Sequence, residues 1–214
     1  MDADLEVRPP KQRRSREAWN RVLDAGVAVL EDGGFGAFTI AAVCERAQVA
    51  PTAIYARTTS KDALFLAVYE HGIAGIRAEQ QVFGDPAHWS GLAPAALVRE
   101  AVAQVVGISL RHRPFLRAVV LVSGVHPEVQ ARGGRYVHEL AGLFTDVVLG
   151  ARDAIRHADR ERAVLSCFGS TFSATVLRLA YGPAFTTPAP VDDDAFVADL
   201  GEAAVRYLLG GSAG

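Results

Sequence analysis

The residues best suited to chemistry in this 214-residue chain are basic side chains near its amino terminus. Six of them stand against the single acid Glu17 between positions 8 and 21, a local charge of +5 (six minus one). They are Arg8, Lys11, Arg13, Arg14, Arg16 and Arg21. Guanidinium and ammonium groups bind phosphates and carboxylates. A solvated, disordered tail is the alternative for a lone basic run, and the elements that follow decide between the two.

The sequence shows little sign of catalytic or metal-binding motifs. The sequence contains no S-x-x-K, H-E-x-x-H or Walker pattern. Cys44 and Cys167 lie far apart without a C-x-x-C, which argues against a disulfide scaffold or a structural zinc site. His112, His126 and His138 show no metal-type spacing. We therefore expect no enzymatic activity, no metal and no cofactor.

Composition favours a folded protein outside the membrane. Half of the residues are hydrophobic and 21% are charged, while the net charge of −2 gives no bulk positive field. The acidic, polar start is unlike a signal peptide. The longest uncharged run without proline, 163–177, has 15 residues, fewer than the roughly 20 of a spanning helix. We expect a cytoplasmic protein with no membrane partner.

The elements that would position the basic cluster are helices. Apolar residues recur at three- and four-residue steps along the whole chain, which predicts an all-α fold of about nine helices. The first helix runs from about Ser15 to Gly33-Gly34, and Thr39 is the predicted N-cap of the second. A third covers Pro51 to about Arg57, and Ser60 is the predicted cap of the fourth.

The first three helices predict a DNA-binding unit. The second and third are joined by a four-residue turn, Gln48–Pro51, which is typical of a helix-turn-helix. That unit projects a short helix into a DNA groove. We therefore predict a basic flexible arm over 1–13, a helix-turn-helix domain over 14–71 and a helical effector and dimerisation domain over 72–214.

From Arg14 to Leu64, about 50 residues, the chain resembles the DNA-binding domain of the tetracycline-repressor (TetR) family of bacterial transcription factors. The family pattern joins a Gly-Phe and a Thr-Val/Ile to Ala-Gly-Val-Ser-x-Gly-x-Leu-Tyr-x-His-Phe-x-Ser-Lys-Glu-x-Leu. This chain has Gly34-Phe35, Thr39-Ile40 and the run 47–64. It departs from the pattern at Gln48 for the turn glycine, Ala50 for the cap serine and Thr58 for the phenylalanine.

The resemblance implies a set of DNA-binding residues. Thr39, Tyr55 and Lys61 would contact phosphates, although an ordinary surface pair is the alternative for the last two. Pro51, Thr52 and Ala53 would face the bases. The predicted set is Arg13, Arg14, Thr39, Gln48, Pro51, Thr52, Ala53, Tyr55, Thr59 and Lys61.

The resemblance also implies a carboxyl-terminal domain that binds a small molecule and joins two copies of the chain. The helix 159–181 has a second face of small residues, so it can pack inward and against a partner. A single helix buried in a monomer is the alternative, and the resemblance favours the dimer. Predicted interface residues are Ser166, Ser170, Ser173, Phe196, Leu200 and Tyr207.

The residues that bind the small molecule are predicted among the aromatic residues outside the helix 159–181 and the last helix. Arg117, inside an apolar helix, needs an anionic ligand or a protein carboxylate if it is buried, and reaching solvent is the alternative. Each aromatic alone is equally an ordinary core residue. The predicted set is Phe65, Tyr69, Trp89, Phe115, Arg117 and Phe144.

Together these features predict a dimeric transcriptional repressor that leaves a palindromic operator when a small molecule binds. The alternative is a helical adaptor that binds protein without DNA sequence specificity. The salt dependence of binding distinguishes the two functions, because phosphate binding weakens steeply with ionic strength.

Overall fold

The computed structural model describes residues 13–210, and the side chains of residues 15–210. This part of the chain folds into ten α-helices and three short 3₁₀ turns, without a strand. The helices are α1 Arg13–Ala37, α2 Ile40–Ala47, α3 Pro51–Tyr55, α4 Lys61–Gln80, α5 Pro86–Trp89, α6 Pro94–Arg111, α7 Arg113–Ser123, α8 Pro127–Val148, α9 Arg160–Tyr181 and α10 Asp193–Leu209. The all-α prediction is confirmed.

Two predicted helix caps, Thr39 and Ser60, are confirmed by side-chain hydrogen bonds, whereas Ser15, the predicted cap of the first helix, lies inside α1, which begins at Arg13. Thr39 Oγ1 accepts a hydrogen bond from the Ala42 N–H at 3.0 Å, and Ser60 Oγ accepts one from Ala63 at 3.1 Å. The expected stop at Gly33-Gly34 is present as a break at Gly34 (φ 65°, ψ −168°), after which helical turns continue to Ala37. The third helix ends at Tyr55, two residues before the predicted end at Arg57.

Two compact units divide the chain. The first holds the described residues up to Arg77 together with Pro114–Val129, and the second holds Ala78–Arg113 and the described residues from Gln130 onward. The functional boundary after residue 71 stays a prediction. The predicted arm over 1–13 lies outside the described residues, except for the backbone of Arg13, which begins α1.

The first unit is built around an aromatic cluster. The Phe65 ring of α4 lies edge-on to Phe35 and Phe38, with centroids 4.7 and 5.5 Å away, and 5.6 Å from the His126 ring. Nearby, α4 meets α7 at Gly72, where a Cβ atom would lie 2.3 Å from Phe115 Cζ. Only glycine permits this approach, so the sequence of α4 fixes how closely the two helices pack.

The second unit packs α6, α9 and α10 together and ties the two carboxyl-terminal helices by charge. Buried Arg178 donates from Nε (3.0 Å) and Nη2 (2.7 Å) to Asp193 Oδ1, and its guanidinium lies 4.4 Å from the Phe196 ring centroid. Arg113 Nη2 donates to Asp193 Oδ2 at 2.7 Å. Burial raises the pKa of Asp193, but the hydrogen bonds from Arg178 and Arg113 outweigh burial and lower it below its usual value.

α9 is the one described helix that is long and apolar enough to cross a membrane, and half of its most apolar stretch is buried within the protein. Helices of a protein core meet the same criterion of length and composition. Large apolar side chains on its remaining surface, Leu165, Leu177 and Tyr181, are exposed. α9 therefore carries more apolar surface than packing within one chain covers.

Candidate nucleic-acid interface

The turn between α2 and α3 depends on an unusual backbone conformation at Gln48. Its φ of 54° and ψ of 48° are left-handed, and its N–H reaches the carbonyls of Cys44 and Glu45 at the end of α2. A non-glycine residue there costs on the order of 1 kcal/mol. The left-handed residue nevertheless reverses the chain, so that α3 can begin three residues later at Pro51.

The short helix α3 has one buried and one exposed face. Ile54 is 0% exposed and anchors the helix, whereas Pro51, Thr52 and Ala53 are exposed. Ala50 precedes them in extended conformation and makes no side-chain cap. A hydroxyl and a methyl group at the exposed start of a helix can meet base edges, the first by hydrogen bonding and the second against a thymine methyl.

Thr58 closes the carboxyl end of α3, where the family pattern has phenylalanine. Its side chain is 1% exposed, and its Oγ1 donates to the Ile54 carbonyl at 3.4 Å. The N–H groups of Arg57 and Thr58 converge on the same carbonyl at 2.8 and 2.9 Å. The departure at Thr58 therefore leaves a buried, hydrogen-bonded end, although with less apolar volume than phenylalanine supplies.

The predicted phosphate-binding groups lie at helix starts and on exposed surface. Thr39 precedes α2, and Lys61 opens α4 with its ammonium 4.4 Å from the Phe35 ring centroid. Tyr55 is 58% exposed, and Thr59 is exposed as well. Helix amino termini and ammonium groups both attract phosphate. Their roles as DNA contacts stay predictions, as does that of exposed Gln48.

Charge at this surface favours an anionic partner. Between Thr39 and Lys61 three basic residues stand against Glu45, a local charge of +2 (three minus one). One of the three, Arg46, pairs with Asp32 on α1. The backbone of Arg13 and Arg14 forms the first turn of α1, and their side chains lie outside the described residues.

The sequence prediction overlooked Arg57, which the structure places between α3 and α1. Its Nη2 donates to Ser15 Oγ, and its guanidinium carbon lies 5.6 Å from the centroid of the Trp19 ring. The available signal was a basic residue at the end of the predicted third helix. A basic residue at that position does not by itself predict contacts with residues about 40 positions earlier in the chain.

The predicted small-molecule residues are divided between the two units. Phe65, Tyr69 and Phe115 are buried in the first unit, and Trp89 and Phe144 are buried in the second. Each packs as a core residue does; Trp89 Nε1, for example, donates to the Val82 carbonyl at 2.8 Å. Arg117 is exposed, so of the two possibilities given for it, the one in which its side chain reaches solvent applies. Their ligand-binding roles stay predictions.

The predicted dimer residues follow the exposed sides of α9 and α10. Ser166, Ser170, Leu200 and Tyr207 line one shallow groove of about 320 Å³ between the two helices. Ser173 is exposed further along α9, and Phe196 lies under the Arg178 guanidinium. Cys167 also lines the groove, and burial raises the pKa of its thiol to about 11, which leaves it protonated and inert at neutral pH.

Metal-binding geometry is absent from the part of the chain that the structure describes. No three His, Cys, Asp or Glu side chains come together there in a group that could hold an ion.

The sequence profile of the bacterial regulatory proteins of the tetR family matches residues 22–68. The A-factor receptor protein of Streptomyces griseus is 28% identical over 124 residues, which are 55% of this chain and 41% of that protein. The chain thus spans about two fifths of the length of this relative.

Solved structures share the fold over nearly the whole chain. A TetR-like transcriptional regulator from Rhodococcus sp. RHA1 covers 93% of this chain and 97% of its own, with 23% identity and a TM-score of 0.59. A second tetR-family regulatory protein from Rhodococcus RHA1 covers 92% and 99%, with 19% identity and a TM-score of 0.67. Salmonella enterica GusR covers 93% and 97%, with 18% identity and a TM-score of 0.64. At these identities the likeness shows the fold alone.

Proposed function

We propose that this chain, whose residues 22–68 match the tetR family of bacterial regulatory proteins, is a transcriptional repressor acting on a palindromic DNA operator. In this proposal two copies of the chain bind the two half-sites. A small molecule bound by the carboxyl-terminal region releases the DNA. The regulator works in the cytoplasm, where chromosomal DNA is accessible.

The two-faced helix α3 is the observation that carries this proposal. A buried Ile54 holds the helix in place, while Pro51, Thr52, Ala53 and the ring of Tyr55 have no part in the core. A five-residue helix has too few hydrogen bonds to be stable alone, so its position depends on the scaffold of α1, α2 and α4. Such a presented, exposed helix start fits the major groove.

The proposed contacts divide into two classes. Thr39, Tyr55 and Lys61 contact phosphates and set the register of the protein on the duplex, without reading sequence. Thr52 and Ala53 meet base edges and supply the sequence preference. Arg13 and Arg14 extend the phosphate contacts from the start of α1.

A second copy of the chain is the proposed occupant of the groove between α9 and α10. Small side chains line the groove, and the exposed Leu165 and Leu177 on α9 offer apolar surface beside it. A twofold pairing places each copy's α9 and α10 against the same pair in the partner. Two linked heads then bind an operator far more tightly than one.

Response to a small molecule rests on two supports. The name of the Streptomyces griseus relative describes a receptor for A-factor, so a protein similar in sequence recognises a ligand. The second unit also supplies helices in addition to the DNA-binding region. Of the predicted ligand residues, Trp89 and Phe144 belong to this second unit.

Selection from random duplex DNA tests the proposal. The purified protein should enrich a palindrome whose half-sites are separated by about one or more helical turns. Affinity for that duplex should fall steeply as salt rises. Enrichment of no sequence, with weak and salt-insensitive association, would favour the protein-binding adaptor instead.

A further inference from the structure

The helix α3 needs a support that its own length does not provide. It has five residues, and the chain leaves it at Arg57 before α4 begins at Lys61. Ile54 anchors the buried side of the helix. Arg57 adds a tie in a different direction, because its guanidinium reaches back to α1.

That tie consists of two contacts one helical turn apart. Arg57 Nη2 donates a hydrogen bond to Ser15 Oγ, and the guanidinium carbon lies 5.6 Å from the centroid of the Trp19 ring. Ser15 and Trp19 are four residues apart, so they lie on one side of α1. Trp19 is buried, which fixes the ring against which the guanidinium rests. The planar fork of arginine makes both contacts at once, whereas a lysine ammonium does not.

Ser15, to which Arg57 donates, lies in the first turn of α1, and this turn carries basic residues. Arg13 and Arg14 form the backbone of that turn, and Arg16 is exposed on it. A shift of this turn relative to α3 moves those cations relative to the exposed residues Pro51, Thr52 and Ala53. Both sets must meet one duplex for the proposed function.

We propose that Arg57 is a positioning residue for DNA binding, which holds the basic first turn of α1 in register with the exposed start of α3. The inference rests on the proposed function. It assigns to Arg57 an action through Ser15 and Trp19 rather than a direct bond to a phosphate.

A double-mutant cycle tests the assignment on the duplex that the parent protein selects. Ser15→Ala, Arg57→Met and the double variant are compared with the parent by fluorescence anisotropy at fixed salt, well below each melting temperature. Each single change should weaken binding about three- to tenfold, since it removes one tie. The double variant should bind no more weakly than Arg57→Met, because both changes break the same contact.

Two further variants separate charge from position. Arg57→Lys keeps the charge but lacks the fork, so it should also weaken binding. Arg135→Met removes one charge at an exposed position of α8, outside the proposed interface, and should keep the parental affinity.

Four results would overturn the inference. Losses that multiply in the double variant, or full affinity in Arg57→Lys, would indicate a direct phosphate contact. Lower melting temperatures with parental affinity in Ser15→Ala and Arg57→Met would leave the contact a purely structural one. A parent that enriches no duplex would overturn the proposed function and this inference together, whereas the first three results overturn this inference alone.

Discussion

At the scale of single residues, Gln48 joins α2 to α3 with a left-handed backbone. Gln48→Gly should raise the free energy of unfolding by at most about 1 kcal/mol, because glycine adopts positive φ without steric cost; the chain entropy that glycine adds to the unfolded state offsets part of this gain. Urea denaturation followed by circular dichroism measures the change.

Glu45→Gly is the matched control for that substitution. Glu45 is exposed three residues earlier, within α2. Glycine there should lower stability by about 0.5–1 kcal/mol, because the backbone is right-handed helical. Equal destabilisation by both glycines would show that the turn does not strain Gln48.

Lys61 is a residue whose charge should matter to every duplex alike. Lys61→Ala should weaken binding to all sequences about equally, and the slope of log affinity against log salt should become shallower by about 1.8, because each of the two copies loses one phosphate contact. Anisotropy titrations at several salt concentrations, on a selected and on a scrambled duplex, measure both quantities.

Arg135→Ala serves as the control for net charge, since Arg135 is exposed on α8. It should leave the slope unchanged. An effect of Lys61→Ala confined to one sequence would contradict the assignment of Lys61 to a phosphate.

Local sequence signals were sufficient for some of these residues and not for others. Thr39 and Ser60 were predictable as caps because a cap is decided within three residues. The strain at Gln48 was predictable because the pattern places glycine in the turn. The contact between Arg57 and Ser15 was not predictable, because the two residues are 42 positions apart and no local sequence pattern specifies their contact.

At the scale of elements, Gly72 sets the distance between α4 and α7. Gly72→Ala should lower the free energy of unfolding by about 1–3 kcal/mol, because the new Cβ meets the Phe115 ring at 2.3–2.7 Å and the ring must shift. Thermal and urea unfolding measure the loss.

Gly75→Ala, one turn later in α4, is the control. Its Cβ has nothing within 4 Å, so the helix propensity of alanine should raise stability by about 0.5–1 kcal/mol. Two stabilised variants would contradict a close approach at Gly72.

Elements with strong periodicity were predictable, and one-turn elements were not. The long helices and the short pair α2 and α3 follow from spacing and caps. Helix α5, Pro86–Trp89, was not predicted, because four residues show no periodicity. Asp85 caps it by accepting from the Ala87 N–H at 3.0 Å, a signal recognisable only once the helix is known.

At the scale of the whole molecule, chain order and spatial grouping differ. Pro114–Val129 belongs to the first unit although its neighbours in sequence belong to the second. Sequence periodicity places helices but not their long-range partners, so this grouping was not predictable. The His126 ring is an example of such a long-range contact. Its centroid lies 5.6 Å from that of Phe65, a residue 61 positions earlier in the chain.

The proposed assembly predicts that Ser170→Arg yields a monomer. Ser170 is exposed in the groove between α9 and α10, where a charged side chain would prevent two copies from packing. Light scattering should give half the mass of the parent, and affinity for the palindrome should fall about tenfold or more as the two heads become unlinked.

Gln130→Arg, exposed on α8 and outside the proposed interface, should leave mass and affinity unchanged. A dimeric Ser170→Arg protein with parental affinity would contradict the assignment of this groove to a second copy.

The exposed start of α3 is the part of the protein that we propose reads DNA sequence. Parallel selections from random duplexes by the parent and by Thr52→Ala test this reading. We predict a palindrome for the parent and altered base preference at symmetric positions of both half-sites for Thr52→Ala, because one hydrogen-bonding group is lost from each copy. Identical palindromes from the two proteins, or none from the parent, would contradict it.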